Sequence, residues 1–408
     1  MLDAVLTRLD AAAPEVVALQ RDLVAIPALG PANDGTGEAA KASWLSSRLR
    51  GLGFPSVREL NAPDPRVPDG FRPNLAARIP GRDDSRTLWV IAHMDIVPAG
   101  DPGLWTSDPF TLQVDGDVLV GRGVEDNHQG MVSGIVLARA LLESGTVPPV
   151  GLGLLLVADE ETGSRFGLDW VLANHPELFS PRDLILVPDH GAPDSTAVEV
   201  AEKSMLWLKV TVEGKQCHAS TPDAGINTLV AAADFILRLR GLYRLFPEQD
   251  PLFSPAWSTF EPTKKEANVP NVNTIPGRDV FYVDCRVLPS IPLERVEEAI
   301  RALGAEVEAG HGVRMAYEPV QREQAAPATP VESDVVRLLL AAIRAEYGVE
   351  ARPEGIGGGT VAAFLRRRGH HAAVWSTLVG NAHQPNERSR ISFTLGDAKV
   401  MARVLFSA

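Results

Sequence analysis

The run Val150-Gly-Leu-Gly-Leu-Leu-Leu-Val-Ala158 carries no polar side chain and stops abruptly at Asp159-Glu160-Glu161-Thr162-Gly163-Ser164. A strand that is apolar on both faces belongs inside a mostly parallel sheet covered by helices on both sides. Polar residues and a glycine follow at once, so the acidic pair sits at the strand's carboxyl end. Open α/β sheets place their ligands on that side. Two adjacent carboxylates repel each other unless something positive lies between or beneath them. A metal ion is the simplest partner; a solvated acidic turn is the plain alternative for an isolated Glu-Glu.

Other segments end in a similar way. Thr87-Leu-Trp-Val-Ile-Ala92 reads as a strand and stops at His93-Met94-Asp95. Val118-Leu-Val120 leads into Gly121-Arg122-Gly123-Val124-Glu125-Asp126-Asn127, with a helix expected from about Gly130 to Glu143. Asp183-Leu-Ile-Leu-Val-Pro188 stops at Asp189-His190. Late in the chain, Gly380-Asn-Ala-His-Gln-Pro-Asn-Glu387 offers His383. Histidine nitrogens and carboxylate oxygens are ligands for zinc-class ions. A lone histidine at a strand end is more often structural, and Asp126 alone could cap a turn. Their recurrence at successive strand ends is the signal.

The strand–helix alternation predicts an α/β fold. Residues 1–50 read as helices, and residues 61–73, with four prolines, as a loop. From about residue 199 the pattern changes. Strands are expected at Ser204–Glu213, Asn273–Ile275, Val280–Arg286 and Val313–Glu318, with helices at 227–245 and 292–303. That βαββαβ order matches a small ferredoxin-like domain. The expected organisation is a catalytic domain in two parts, 1–198 and 321–408, interrupted by an inserted lid or dimerisation domain, 199–320.

The net charge of -13 argues against nucleic acid, which needs clustered cations. The longest apolar run is far too short to cross a bilayer, and the start lacks a basic, then apolar leader. Two cysteines, Cys217 and Cys285, cannot build a disulfide framework. A cytoplasmic location is the default expectation.

Four motifs together resemble a known family, the dinuclear zinc metallopeptidases that include aminoacylases, acetylornithine deacetylases, succinyl-diaminopimelate desuccinylases and glutamate carboxypeptidases. They are Ala92-His93-Met94-Asp95, Gly121-Arg122-Gly123-Val124-Glu125-Asp126, Asp159-Glu160-Glu161 and Ala382-His383-Gln384-Pro385-Asn386-Glu387. The resemblance spans essentially the whole chain. It implies two divalent ions, zinc with cobalt or manganese as alternatives. Asp126 would bridge them, His93 and Asp189 would complete one site, and Glu161 and His383 the other. Glu160 would be the general base. Asp95 would accept the far N–H of His93, and the Asp126–Asn127 peptide would be cis.

The same resemblance extends to the insert. Gly214-Lys-Gln-Cys-His218-Ala-Ser resembles a lid loop whose histidine reaches the active site of the partner in a homodimer. Asn273, Arg286, Gly359 and Thr360 fall where relatives contact substrate, with Lys203 a weaker carboxylate candidate. Arg286 could equally be a structural ion pair, and the Gly357-Gly358-Gly359 stretch a plain turn. Two positions depart from the family pattern: His128 stands where relatives carry lysine, and Val361 where many carry an acid. The implied activity is hydrolysis of a small N-acyl amino acid. The alternatives are a carboxypeptidase or dipeptidase, and a non-catalytic metal-binding homologue.

Overall fold

The computed structural model describes residues 1–408. The chain divides into two compact units: residues 1–200, 328–354 and 360–408, and residues 201–327 with 355–359.

The first unit is built on an eight-stranded sheet. Its order is Ser56–Pro63, Phe71–Ile79, Val150–Val157, Asp83–His93, Leu184–Gly191, Ala372–Ser376, Ala197–Glu202 and Arg352–Ile356. The four strands from Val150–Val157 to Ala372–Ser376 run parallel, and antiparallel strands flank them. Every residue of Val150–Val157 is buried, as its unbroken apolar character requires. Its glycines serve close packing: a Cβ on Gly153 would lie 2.3 Å from the Trp89 ring on the neighbouring strand. The helix His128–Ser144 packs on the same strands and is buried on nearly every side. The helix Ile391–Ser407 covers it in turn. One part of the core, containing Trp89, Ile91, Leu155, Leu168 and Val374, is fully apolar. Each such side chain contributes roughly 1.5–3 kcal/mol on leaving water.

Two departures from expectation have simple causes. The stretch 61–73 is not all loop, because Ser56–Pro63 and Phe71–Ile79 pair as an antiparallel hairpin. Pro63 closes a strand at the sheet's edge, where a missing N–H costs nothing. The strand Ala197–Glu202 is also present, entirely buried although Glu199 and Glu202 interrupt its apolar pattern.

The second unit is an antiparallel sheet in the order Thr259–Lys265, Arg278–Val287, Ser204–Glu213, Arg314–Glu323. The helices Thr228–Leu239 and Leu293–His311 pack on it, with Leu208, Val210, Phe235, Phe281 and Ile300 in the core. This is the ferredoxin-like arrangement. Its second strand, however, is Thr259–Lys265 rather than Asn273–Ile275. Thr259–Lys265 is an exposed edge with a proline and two lysines, so it lacks the apolar alternation of a half-buried strand. Thr274–Ile275 pairs instead with Cys217–His218 in a separate two-stranded ribbon. Where the chain leaves the first unit and returns to it, Thr329 N–H donates to Val200 O at 2.9 Å. No helix is long and apolar enough to cross a membrane.

Candidate metal centre

Seven of the residues singled out in the sequence converge in the first unit. His93 ends its strand almost fully buried. Its Nδ1–H donates to the main-chain oxygen of Asp95 at 3.0 Å, which leaves Nε2 pointing inward. That Nε2 lies 2.9 Å from Asp126 Oδ1 and 3.5 Å from Asp189 Oδ1. On the other side, His383 Nε2 lies 2.9 Å from Asp126 Oδ2 and 3.2 Å from Glu161 Oε2. Two trios result, His93–Asp126–Asp189 and Asp126–Glu161–His383, each with its ligand atoms within 4.8 Å of one another. Asp126 belongs to both, and its peptide bond to Asn127 is cis. Asn127 Nδ2 donates to Asp189 Oδ1 and to Pro188 O, both at 2.7 Å, fixing the aspartate's orientation.

Glu160 stands beside both trios and belongs to neither, with Oε2 4.0 Å from His93 Nε2. Burial pushes its carboxyl well above the ordinary range; His93 opposes this, while Asp189, Glu161 and Asp126 reinforce it. Burial also raises Glu161, against its hydrogen bond to His383. Burial works against charging His93, but Asp189 and Asp126 raise it well above the usual imidazole value. The bonds to Asp126 and Glu161 raise His383 to about 10. These shifts share one cause: four carboxylates crowd a buried space with two imidazoles as the only nearby counterweight. Moreover, Glu161 Oε1 is buried with no hydrogen-bond partner. A donor set of imidazoles and carboxylates with an orphaned buried oxygen fits divalent cations.

The rim is held by contacts that residue patterns did not reveal. Asp95 was expected to accept from His93 through its carboxylate, but Oδ1 is 3.6 Å away and the main-chain oxygen takes that role. The carboxylate instead accepts the backbone N–H groups of Glu160 (3.1 Å) and Glu161 (3.0 Å). Asp95 therefore orients the histidine through its main chain and the Glu-Glu turn through its side chain. Asp159, at φ 61°, receives a hydrogen bond from the fully buried Arg72 at 3.3 Å. Arg72 also forks onto Glu38 through Nε (2.5 Å) and Nη2. Lys41 Nζ meets His128 Nε2 at 2.7 Å, both fully buried. Burial brings the Lys41 ammonium down to about 7, and burial and Lys41 hold His128 well below its usual value. Lys41 lies on the buried face of the helix Ala39–Gly51 with Ala42, Leu45 and Leu49, and its partner is 87 positions away in the chain.

The candidates in the second unit form two groups. His218 and Asn273 meet on the exposed ribbon, where Ala219 N–H donates to Asn273 O at 2.9 Å. His218 Nδ1 accepts from Ser220 N–H at 3.1 Å, leaving Nε2 outward. Arg286 forks onto Asp284 at 2.7 and 3.0 Å and donates to Gly357 O at 2.7 Å. Lys203 Nζ donates to Pro255 O (2.8 Å) and Trp257 O (2.6 Å), and its N–H donates to Ile356 O. The charged heads of Arg286 and Lys203 are thus bound within the fold, and both residues brace the segment holding Gly359. In the first unit, Thr360 Oγ1 donates to Glu199 at 3.3 Å.

The sequence model of peptidase family M20/M25/M40 matches residues 89–407. The chain belongs to this family. As an M20 metallohydrolase, it hydrolyses amide or peptide bonds and binds metal. It is 39% identical to an uncharacterised metallohydrolase of Methanococcus maripaludis, covering 96% of this chain and 98% of that one. It is 29% identical to succinyl-diaminopimelate desuccinylase of Rhodospirillum centenum, over 96% of this chain and 97% of the relative. In fold, this M20 chain is similar to human carnosine dipeptidase 1, with a TM-score of 0.77 at 18% identity, covering 99% and 98% of the two chains.

Proposed function

We propose that this M20 protein is a dinuclear deacylase that removes an acyl group from a small N-acyl amino acid. The carrying observation is that Asp126 is shared by two ligand trios while Glu160 stands free beside both. In this reading His93 and Asp189 complete one site, and Glu161 and His383 the other; zinc is the favoured ion, with cobalt or manganese as alternatives. Two such ions, when bound, polarise the scissile carbonyl and acidify water. Glu160 takes the proton of the attacking water and delivers it to the leaving amine. Asp95 keeps Glu160 and Glu161 in register by gripping both their N–H groups. The desuccinylase relative supports an N-acyl substrate with a free carboxylate, held by Gly359, Thr360 and Asn273. Arg286 and Lys203 would act indirectly, by fixing the Gly359 segment.

Chelator-stripped protein should lose activity and regain it with two equivalents of zinc or cobalt per chain, as read by elemental analysis. A panel of N-acetyl and N-succinyl amino acids beside dipeptides tests the substrate class. Faster turnover of dipeptides would overturn the deacylase reading in favour of a dipeptidase.

We further propose a homodimer in which His218 of each chain donates to the substrate oxyanion in its partner's site. The helix Thr228–Leu239 supports this, since Leu229, Ala233 and Leu237 recur every fourth residue on an exposed stripe beside Val230. An exposed apolar stripe of this kind is a hallmark of association. Leu237→Asp should convert a dimer to a monomer in light scattering and lower turnover at the same time. Dimers that persist in this variant would place the interface elsewhere.

A further inference from the structure

The two loops that deliver Asp126 and His383 are locked together by a pair of exchanged glutamates. Glu387, at the end of the His383 loop, is fully buried under the Asp126 loop. Its Oε1 accepts the N–H groups of Glu125 (3.0 Å) and Asp126 (3.1 Å). Its Oε2 accepts Gly123 N–H (3.1 Å) and Arg122 Nη1 (2.6 Å). Glu125 returns the contact: its two carboxylate oxygens accept Gly380 N–H (2.7 Å) and Asn381 N–H (3.0 Å) at the other end of the His383 loop. Both ends of the loop are therefore pinned by carboxylates, and Arg122 Nη2 reaches the His383 carbonyl between them at 3.4 Å.

This matters because His383 has little else to hold it. Its side chain is 54% exposed, and its contacts are the Asp126 and Glu161 carboxylates themselves. Its backbone sits at φ 63°, a conformation that a non-glycine residue keeps only when its surroundings impose it. The other trio differs. His93 ends one strand and Asp189 lies near the end of the parallel strand beside it, His93 is buried, and Asn127 orients Asp189.

We infer that Glu125 and Glu387 are positioning residues that set the Asp126–Glu161–His383 site, and that they act less on the His93–Asp126–Asp189 site, which shares with the locked loops only Asp126. The inference rests on the two-metal reading above. A conservative Glu→Gln change keeps side-chain length but turns an amide donor toward backbone N–H groups that need an acceptor. Contacts of this kind around a metal ligand are typically worth 10- to 100-fold in metal affinity.

The test is a titration of chelator-stripped protein with Co²⁺, followed by calorimetry and by the visible absorption of the bound ion, comparing wild type with Glu125→Gln and Glu387→Gln. The expected result is one site weakened 10- to 100-fold in each variant and the other within a few-fold of wild-type affinity. Two sites of unchanged affinity, or two weakened by the same factor, would overturn the inference, the latter because it marks a merely structural role. Wild-type protein that takes up fewer than two ions would sink the two-metal reading itself, and this inference with it. The two variants are made in parallel, so one lost to misfolding leaves the other to carry the comparison.

Discussion

Glu160→Gln should lower turnover by about a thousandfold while leaving metal stoichiometry unchanged, since a positioned general base typically contributes 10²–10⁴. Glu160 lies outside both ligand trios, so its loss removes no donor atom. Nor should the fold suffer. Burial disfavours this carboxylate's ionised form, Asp189, Glu161 and Asp126 add to that penalty, and only His93 works the other way. An uncharged side chain of the same shape relieves the crowding. Turnover and bound metal are measured on the same preparation. A variant that turns over within a few-fold of wild type would remove Glu160 from the chemistry. Loss of one metal equivalent would instead make it a ligand.

Arg72→Met should cost on the order of 3–5 kcal/mol of stability, the range expected when one partner of a buried ion pair is removed. Arg72 has no exposed surface and stands among Glu38, Asp159 and Asp64, the last at 3.7 Å. Without the guanidinium these buried acids face one another uncompensated. Activity should fall too, because Asp159 begins the turn that carries Glu160 and Glu161, and its own N–H donates to Glu38 Oε1 at 3.3 Å. Arg72→Lys should not rescue, since an ammonium cannot form the planar fork onto Glu38. Denaturant titration of the metal-free protein gives the number. A loss below about 1 kcal/mol would show that these acids find protons or water once the arginine is gone.

The residues that meet at the centre were legible because each closes an apolar strand or follows a glycine-rich turn, as His93, Asp126, Glu161 and Asp189 do. Strand-end position is a local property that pattern reading can capture. Lys41, Arg72 and Glu387 were not legible, since their roles depend on partners 87, 34 and more than 260 positions away. A charged residue in a helix or strand looks solvated until the topology supplies its counterpart. Arg286 was balanced between substrate and structure, and the Asp284 beside it on the same strand face was the clue to the fork. In the fold, the inserted sheet's edge strand Thr259–Lys265 was hidden because an edge need not alternate. The hairpin at 56–79 was obscured by four prolines, two in its turn (Pro65, Pro68) and two in its strands (Pro63, Pro73).

The hydrogen bond from Thr329 to Val200 has a consequence for how such a chain can change over time. At that junction the host sheet experiences the whole excursion as if it were a tight bend, whatever its length. Chains that enter and leave a scaffold at neighbouring points can be lengthened, trimmed or exchanged without tearing the scaffold. The inserted unit is therefore free to diversify while the metal-binding framework of the first unit stays as it is.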